Sequence, residues 1–321
     1  MNKIIIQDTK ETLQLMNSIE LNTINRLVSS DCKSYIRRTN EAYHCRLLEI
    51  AGDIAAHRNE RPIILLSGPS GSGKTTSALM LEKILDGRGI ETHTLSMDNY
   101  FKPLSTAEKQ LLSEGKLDLE SPNRVDGAFL CEQLNAIESC QPVKLPIYDF
   151  KNSERQISGD TFQRNPGELV ILEGIHSLNP DIIDIPDEKT AKVYVSVRTR
   201  IIDQGRALHP SKIRLMRRLM RDSIFRKRSF IDTIMMFRSV EEGENKYIMP
   251  YKYRSTYDVD TFMSYEICAY RNNLLNGLKA LNDEPIIRDA CAFLEASVDL
   301  SAENITPDSL ICEFIGNGQF N

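Results

Sequence analysis

The chain has 321 residues, 41% hydrophobic and 26% charged, with a formal net charge of −5. That is the balance of a globular protein with enough chain for a large core, and the acidic sum argues against a nucleic-acid surface spread over the molecule. Its seven cysteines include no CxxC pair, which speaks against zinc and disulfide frameworks. The start, MNKIIIQDTKETL, has no signal-peptide pattern, and no apolar run nears the ~20 residues that span a bilayer, so the expectation is a cytoplasmic protein without a membrane partner.

Residues 1–60 read as a helical extension. Leu13, Met16, Ile19 and Leu21, then Tyr43, Leu47, Leu48 and Ile50, recur at near-helical spacing. Its arginines are interleaved with acids, as on a solvated face, and the segment either packs on the main domain or serves a homo-oligomer contact. Ile63–Leu66 predicts a buried strand and residues 75–86 the helix after it, ended by Gly87 and Gly89. Glu91–Met97 alternates like a strand and runs into Asp98-Asn99-Tyr100-Phe101. Residues 103–127 are polar and turn-rich, 128–137 helical, and 142–164 suit a hairpin lying over a site. Glu168–Leu172 and Lys192–Val197 are further strands, Ser211–Arg228 a basic helix, 261–281 a long amphipathic helix, and Ala290–Ala296 a short helix in the tail. Strands and helices alternating over short connections predict an α/β fold, a parallel sheet flanked by helices.

The chemistry concentrates between the first strand and its helix. Gly68-Pro-Ser-Gly-Ser-Gly73-Lys74-Thr75 fits G-x-x-x-x-G-K-[ST]. Glycines let the backbone curl so that N–H groups point into one concavity, and the following helix start also favours an anion. Gly68, Ser70, Gly71, Ser72, Gly73, Lys74, Thr75 and Thr76 are therefore the expected phosphate cradle, with Lys74 reaching the outer phosphates and the Thr75 hydroxyl holding Mg²⁺. This is the P-loop of a P-loop NTPase fold. It divides the chain into the extension 1–60, a P-loop domain 61–285 and a tail 286–321.

Asp98 and Glu173 both follow predicted strands, and strand C-termini share one edge of a parallel sheet, so both should meet the P-loop there. Asp98, in an aromatic-flanked turn, is read as the base that takes a proton from an attacking hydroxyl, and Glu173 as the acid associated with the metal. Arg214, Arg217, Arg218 and Arg221 fall at i, i+3, i+4 and i+7, one face of a helix. Four arginines on one face call for an anion, so the helix is read as an arginine-rich lid over phosphates. An RNA-binding helix is the weaker reading, lacking interleaved aromatics. The histidines show no metal-ligand spacing, and His176 reads as structural.

In order, GPSGSGKTT, SMDNYF, ESPNRVD, LPIYDF, ILEGIHSLNP and RLMRRLMRD resemble the uridine kinase/phosphoribulokinase family, from about Ile63 to about Leu281. The likeness is to its bacterial uridine kinase-like nucleoside kinases, which also resemble the chain at Val240–Lys246. The resemblance implies a nucleoside kinase with a lid helix and Mg·ATP or Mg·GTP as donor. It implies that Asp98 activates a 5′-hydroxyl, with Arg217, Arg218 and Arg221 near the phosphates. It places Glu120 on ribose hydroxyls, Tyr148 in the base pocket and a basic residue at Arg155. Asn152 and Ser153 stand where pyrimidine-specific members carry a histidine, which leaves the base open.

The expected activity is transfer of the γ-phosphate to a small hydroxyl compound, a nucleoside first. The alternatives are a phosphoribulokinase-like kinase of a sugar phosphate or polyol, with Arg124, Lys151 and Arg155 as extra cations, and a nucleotide-binding regulator with little transfer. The expected partner is a small molecule and not a nucleic acid.

Overall fold

The computed structural model describes residues 17–281, 284–316 and 318–319. A short strand β1 (Ser18–Glu20) leads into a long helix, α1 (Leu21–Ala56), which breaks at Asp31 (φ −156°, ψ 78°). The P-loop unit follows as β2 (Ile63–Ser67) and α2 (Lys74–Asp86), then β3 (Thr92–Ser96) and a 3₁₀ turn, Met97–Tyr100. The polar excursion holds one exposed helix, α3 (Thr106–Ser113), started by a capping box between Ser105 and Glu108. Next come α4 (Gly127–Glu138), the hairpin β4 (Pro146–Asp149) and β5 (Glu154–Ile157), and the strands β6 (Leu169–Glu173) and β7 (Thr190–Ser196). A second hairpin, β8 (Arg200–Asp203) and β9 (Arg206–Leu208), precedes α5 (Pro210–Phe225) and α6 (Phe230–Tyr247). Strand β10 (Tyr257–Asp260), α7 (Glu266–Lys279), α8 (Pro285–Ala296) and a last helical turn, Cys312–Ile315, complete the chain.

The central sheet is parallel, in the order β10-β7-β2-β6-β3. Strands β2 and β6 are buried at every position, which explains their unbroken apolar runs: helices cover both faces, so no alternation is needed. The α/β parallel architecture expected from the strand–helix alternation is the one observed.

The extension is not a separate layer. Strand β1 pairs in parallel with β8, and α1 buries Leu21, Ile24, Val28, Ile36, Leu47, Ile50 and Ile54. Recurrence at three, four and seven residues gives one apolar face, and that face shares a single core with β2, α2, β7, α5 and α7. The tail belongs to the same core through Ile287, Phe293, Leu310 and Phe314. Two details of the expected extension differ: Ile19 is in a strand and Leu48 lies on the exposed side. Leu13 and Met16 lie outside the described residues. The helix expected over 261–281 begins only at Glu266, after the loop that leaves β10.

Candidate active site

The P-loop bridges the C-terminal end of β2 and the start of α2. Gly71 and Gly73 sit at φ +75° and +83°, backbone states that glycine adopts without a Cβ penalty. Register then assembles the rest. Strand β6 lies between β2 and β3, with Glu173 level with Leu66 on one side and Ser96 on the other. The chain turns at Ser96 into the 3₁₀ turn carrying Asp98, and the Ser96 hydroxyl donates to Glu173 Oε1 at 3.1 Å while accepting from the Asp98 N–H at 3.4 Å. One hydroxyl thus joins the two acidic strand ends beside Lys74.

Electrostatics mark the same convergence. Burial pushes Glu173 up to about 7, with Lys74 opposing and Asp98 adding to the rise. Burial also raises Asp98, against the attraction of Lys74, Arg226 and Arg221, and raises Glu120, against Arg218 and Lys74. Three carboxylates and several cations therefore share one poorly solvated space.

Several of its polar atoms have no hydrogen-bond partner among the described residues: Ser72 Oγ in the cradle, Glu120 Oε2, Arg218 Nε and Arg221 Nε. Buried polar atoms are ordinarily paired. Unpaired donors and an unpaired carboxylate oxygen around a P-loop leave that space open to a polar ligand. Thr75 and Glu173 are the oxygen donors suited to Mg²⁺ there.

The arginine helix divides into two kinds of residue. Arg217 is fully buried: it pairs with Glu266 at 2.7 and 2.9 Å and donates to Thr261 O at 2.6 Å and Gly71 O at 3.2 Å. Arg214 pairs with Glu244 and donates to Ser70 O at 3.1 Å. These two guanidiniums clamp the loop's backbone from behind and have their charges balanced by α6 and α7. Arg217, expected near the phosphates, lies against the P-loop at Gly71, with every one of its nitrogens engaged within the fold. Arg218 bonds the Ser70 hydroxyl and keeps Nε unpaired, and burial, with Arg221 beside it, lowers its pKa to about 10. Arg221 lies 3.6 Å from Asp222, a buried acid that also gathers Arg226 and Arg228. Arg218 and Arg221 are the cations of this face with donors to offer an anion.

On the other side of Asp98 lies an aromatic corner. Asn99 Oδ1 accepts from the Tyr148 N–H at 3.2 Å, fixing β4 to the Asp98 turn. Phe101, Tyr148 and Phe150 meet edge to face at 5.7, 5.1 and 6.4 Å, and Phe150 is 62% exposed. Arg124 donates to the Tyr148 hydroxyl at 3.3 Å and lies over Phe101, and Arg155 is tied to Asp126 at 2.9 Å and stacks over Phe129. Asn152 and Ser153 close the hairpin turn, Asn152 against Asp149. Glu120 is positioned by two neighbours. His176 Nε2 bonds its backbone carbonyl at 2.9 Å, and burial, the largest influence on the ring, takes it down to about 4, so it is neutral at pH 7. Gly243 of α6 supplies the space for Glu120, because a Cβ there would fall 2.4 Å from that of Glu120.

Ser96 and Asn99 flank Asp98 in the SMDNYF run, but nothing in the sequence marks them as site residues. Glu244 and Glu266 had no local signal. Two other features lie away from this edge. Pairing of β3 with β6 brings Glu91, His93 and Glu168 to within 4.8 Å of one another at the opposite strand ends, with Glu168 already held by Asn165. A cleft of about 1200 Å³ runs between α1, α2 and residues 303–310, on the outer side of α2.

Comparison with known proteins agrees with this geometry. The model of the Phosphoribulokinase / Uridine kinase family matches residues 63–264. A uridine kinase of Staphylococcus haemolyticus is 31% identical over 194 residues, covering 59% of this chain and 83% of the relative. One of Lactobacillus helveticus is 32% identical over 198 residues, covering 60% and 83%. Among solved structures, a candidate fructose transport system kinase from Silicibacter sp. TM1040 shares the fold at TM-score 0.51 and 16% identity, over 66% of this chain and 98% of its own. The match begins at β2, ends at the loop after β10 and contains the P-loop, Asp98, Glu173 and the arginine helix: this chain belongs to the Phosphoribulokinase / Uridine kinase family.

Proposed function

We propose that the protein is a Mg²⁺-dependent kinase that transfers the γ-phosphate of ATP or GTP to the 5′-hydroxyl of a nucleoside. The observation that carries the transfer is the joining of Asp98 and Glu173 through Ser96 at the mouth of the P-loop. The backbone N–H groups and Lys74 hold the phosphates, Arg218 and Arg221 balance charge on them, and Asp98 receives the acceptor's proton. The acceptor oxygen forms a bond to the γ-phosphorus as the bond to the bridging oxygen breaks, releasing the nucleoside diphosphate. Bound at Thr75 and Glu173, Mg²⁺ supplies further charge neutralisation to the phosphates. A raised pKa suits Asp98 to the task, because a stronger base takes a hydroxyl proton more readily.

The acceptor side favours a flat heterocycle over a sugar phosphate. Phe101, Tyr148 and Phe150 offer ring faces and edges; of the cations that could meet a second phosphate, Arg124 donates to the Tyr148 hydroxyl, and Arg155 pairs with Asp126 through Nη2 while its Nη1 has no partner among the described residues. Glu120, with one unpaired oxygen, is suited to ribose hydroxyls. Asp98→Asn tests the mechanism. It removes the proton acceptor with little change in shape, so turnover falls by about 10²–10⁴-fold while ATP affinity, measured by calorimetry, is retained. Turnover near wild type excludes Asp98 as the base. A chain that binds ATP but transfers to no acceptor is a nucleotide-binding regulator.

A further inference from the structure

The phosphate-binding helix does not cap itself. Its N-cap is Gly73, with no side chain to accept from the first-turn N–H groups. The acceptor comes from the far end of the chain. Glu313 Oε2 receives a 2.7 Å hydrogen bond from the Thr76 hydroxyl and a longer one, 3.4 Å, from the Thr76 N–H.

The segment that delivers it is firmly seated. Leu310, Ile311, Cys312 and Phe314 are buried. The Leu310 side chain lies 3.0–3.2 Å from where a Cβ on Gly73 would stand, and the Arg217 guanidinium sits over the Phe314 ring at 5.1 Å. Glu313 itself is only partly buried, so its carboxylate can swing away while the backbone stays in place.

Thr76 is the third residue of α2. In a G-x-x-x-x-G-K-[ST] loop the N–H groups of the loop and the helix start are the donors that cradle the donor's phosphates. A carboxylate on both the N–H and the hydroxyl of Thr76 therefore fills part of the anion site with the chain's own charge.

We propose that Glu313 is a built-in competitor of the donor nucleotide. It caps α2 while the P-loop is empty and must leave Thr76 when a phosphate arrives. This rests on the reading of the P-loop as a nucleotide site. It makes the C-terminal segment, which the family match does not reach, a regulator of donor affinity: whatever draws Glu313 off Thr76 sharpens nucleotide binding.

The test is calorimetric titration of ATP with Mg²⁺, without acceptor, into the full chain, Glu313→Gln and Glu313→Ala, with thermal unfolding of each nucleotide-free chain. The two variants are expected to bind ATP about tenfold more tightly and to unfold at lower temperature when empty, because the same carboxylate stabilises the free helix start. Opposite signs in the two measurements distinguish a competitor from a brace. Lower stability with equal or weaker ATP affinity, wild type still binding, overturns the proposal alone. If none of the three chains binds ATP, the nucleotide reading falls and this proposal with it.

Discussion

Glu173→Gln should stabilise the empty protein at alkaline pH, and the size of the effect follows from the site. Glu173 ends a fully buried strand, and burial outweighs Lys74 to lift its carboxyl from 4.5 to about 7. Its folded value lies above its unfolded value, so between those pH values the native state binds more protons than the unfolded chain. Wild-type stability due to this group therefore falls as pH rises from 4.5 to about 7 and is level above. At about 1.36 kcal/mol per pH unit the ceiling on that loss is about 3 kcal/mol, reduced by whatever relaxation lets water reach the site. Glutamine does not titrate, and its amide oxygen can still accept from Ser96. Urea unfolding without Mg²⁺ or nucleotide at pH 5 and pH 8 should show the variant gaining on wild type by about 1–3 kcal/mol between the two. Saturating Mg·ATP should reverse the ranking, since the cation removes the cost of the wild-type charge. An unchanged difference between variant and wild type at the two pH values would show that Glu173 does not titrate with a raised pKa in the folded chain.

Other outcomes separate the clamp from the site. Arg217→Ala leaves Glu266 buried without its partner, so it should cost about 3–5 kcal/mol in urea unfolding, whereas Arg218→Ala should weaken ATP binding with little loss of stability. Gly243→Ala places a methyl group 2.4 Å from Glu120 Cβ. Displacing Glu120 should raise the acceptor KM about tenfold or more while leaving the KM for ATP within about twofold, as steady-state kinetics in each substrate will show.

What the sequence made legible was local. The P-loop, the strands around it, Asp98 and Glu173 each carry their signal within a few residues, and parallel topology then forces them to one edge. The arginine helix was half legible. Its spacing identified the face, but the acids that neutralise Arg214 and Arg217 sit on α6 and α7, 30 and 49 residues further on. Sequence distance therefore hid an ion-pair clamp behind what resembled a uniform phosphate lid. Gly243 and His176 show the same limit: both are needed by Glu120, whose position depends on a contact that only the folded chain makes. The ends of the molecule were least legible, because amphipathic spacing in α1 shows that a face is buried and not against what. Glu313, reaching Thr76 from 237 residues away, had no signal at all.

The proposed activity is transfer of a terminal phosphate to a nucleoside hydroxyl. The direct measurement is release of the nucleoside diphosphate by the full chain with Mg·ATP or Mg·GTP across a panel of ribo- and deoxyribonucleosides and sugar phosphates, with Asp98→Asn alongside. The expected result is turnover with at least one nucleoside, formation of its 5′-monophosphate, and loss of both in the variant. Turnover confined to sugar phosphates would exclude a nucleoside as the acceptor, and transfer that survives in Asp98→Asn would exclude Asp98 as the base.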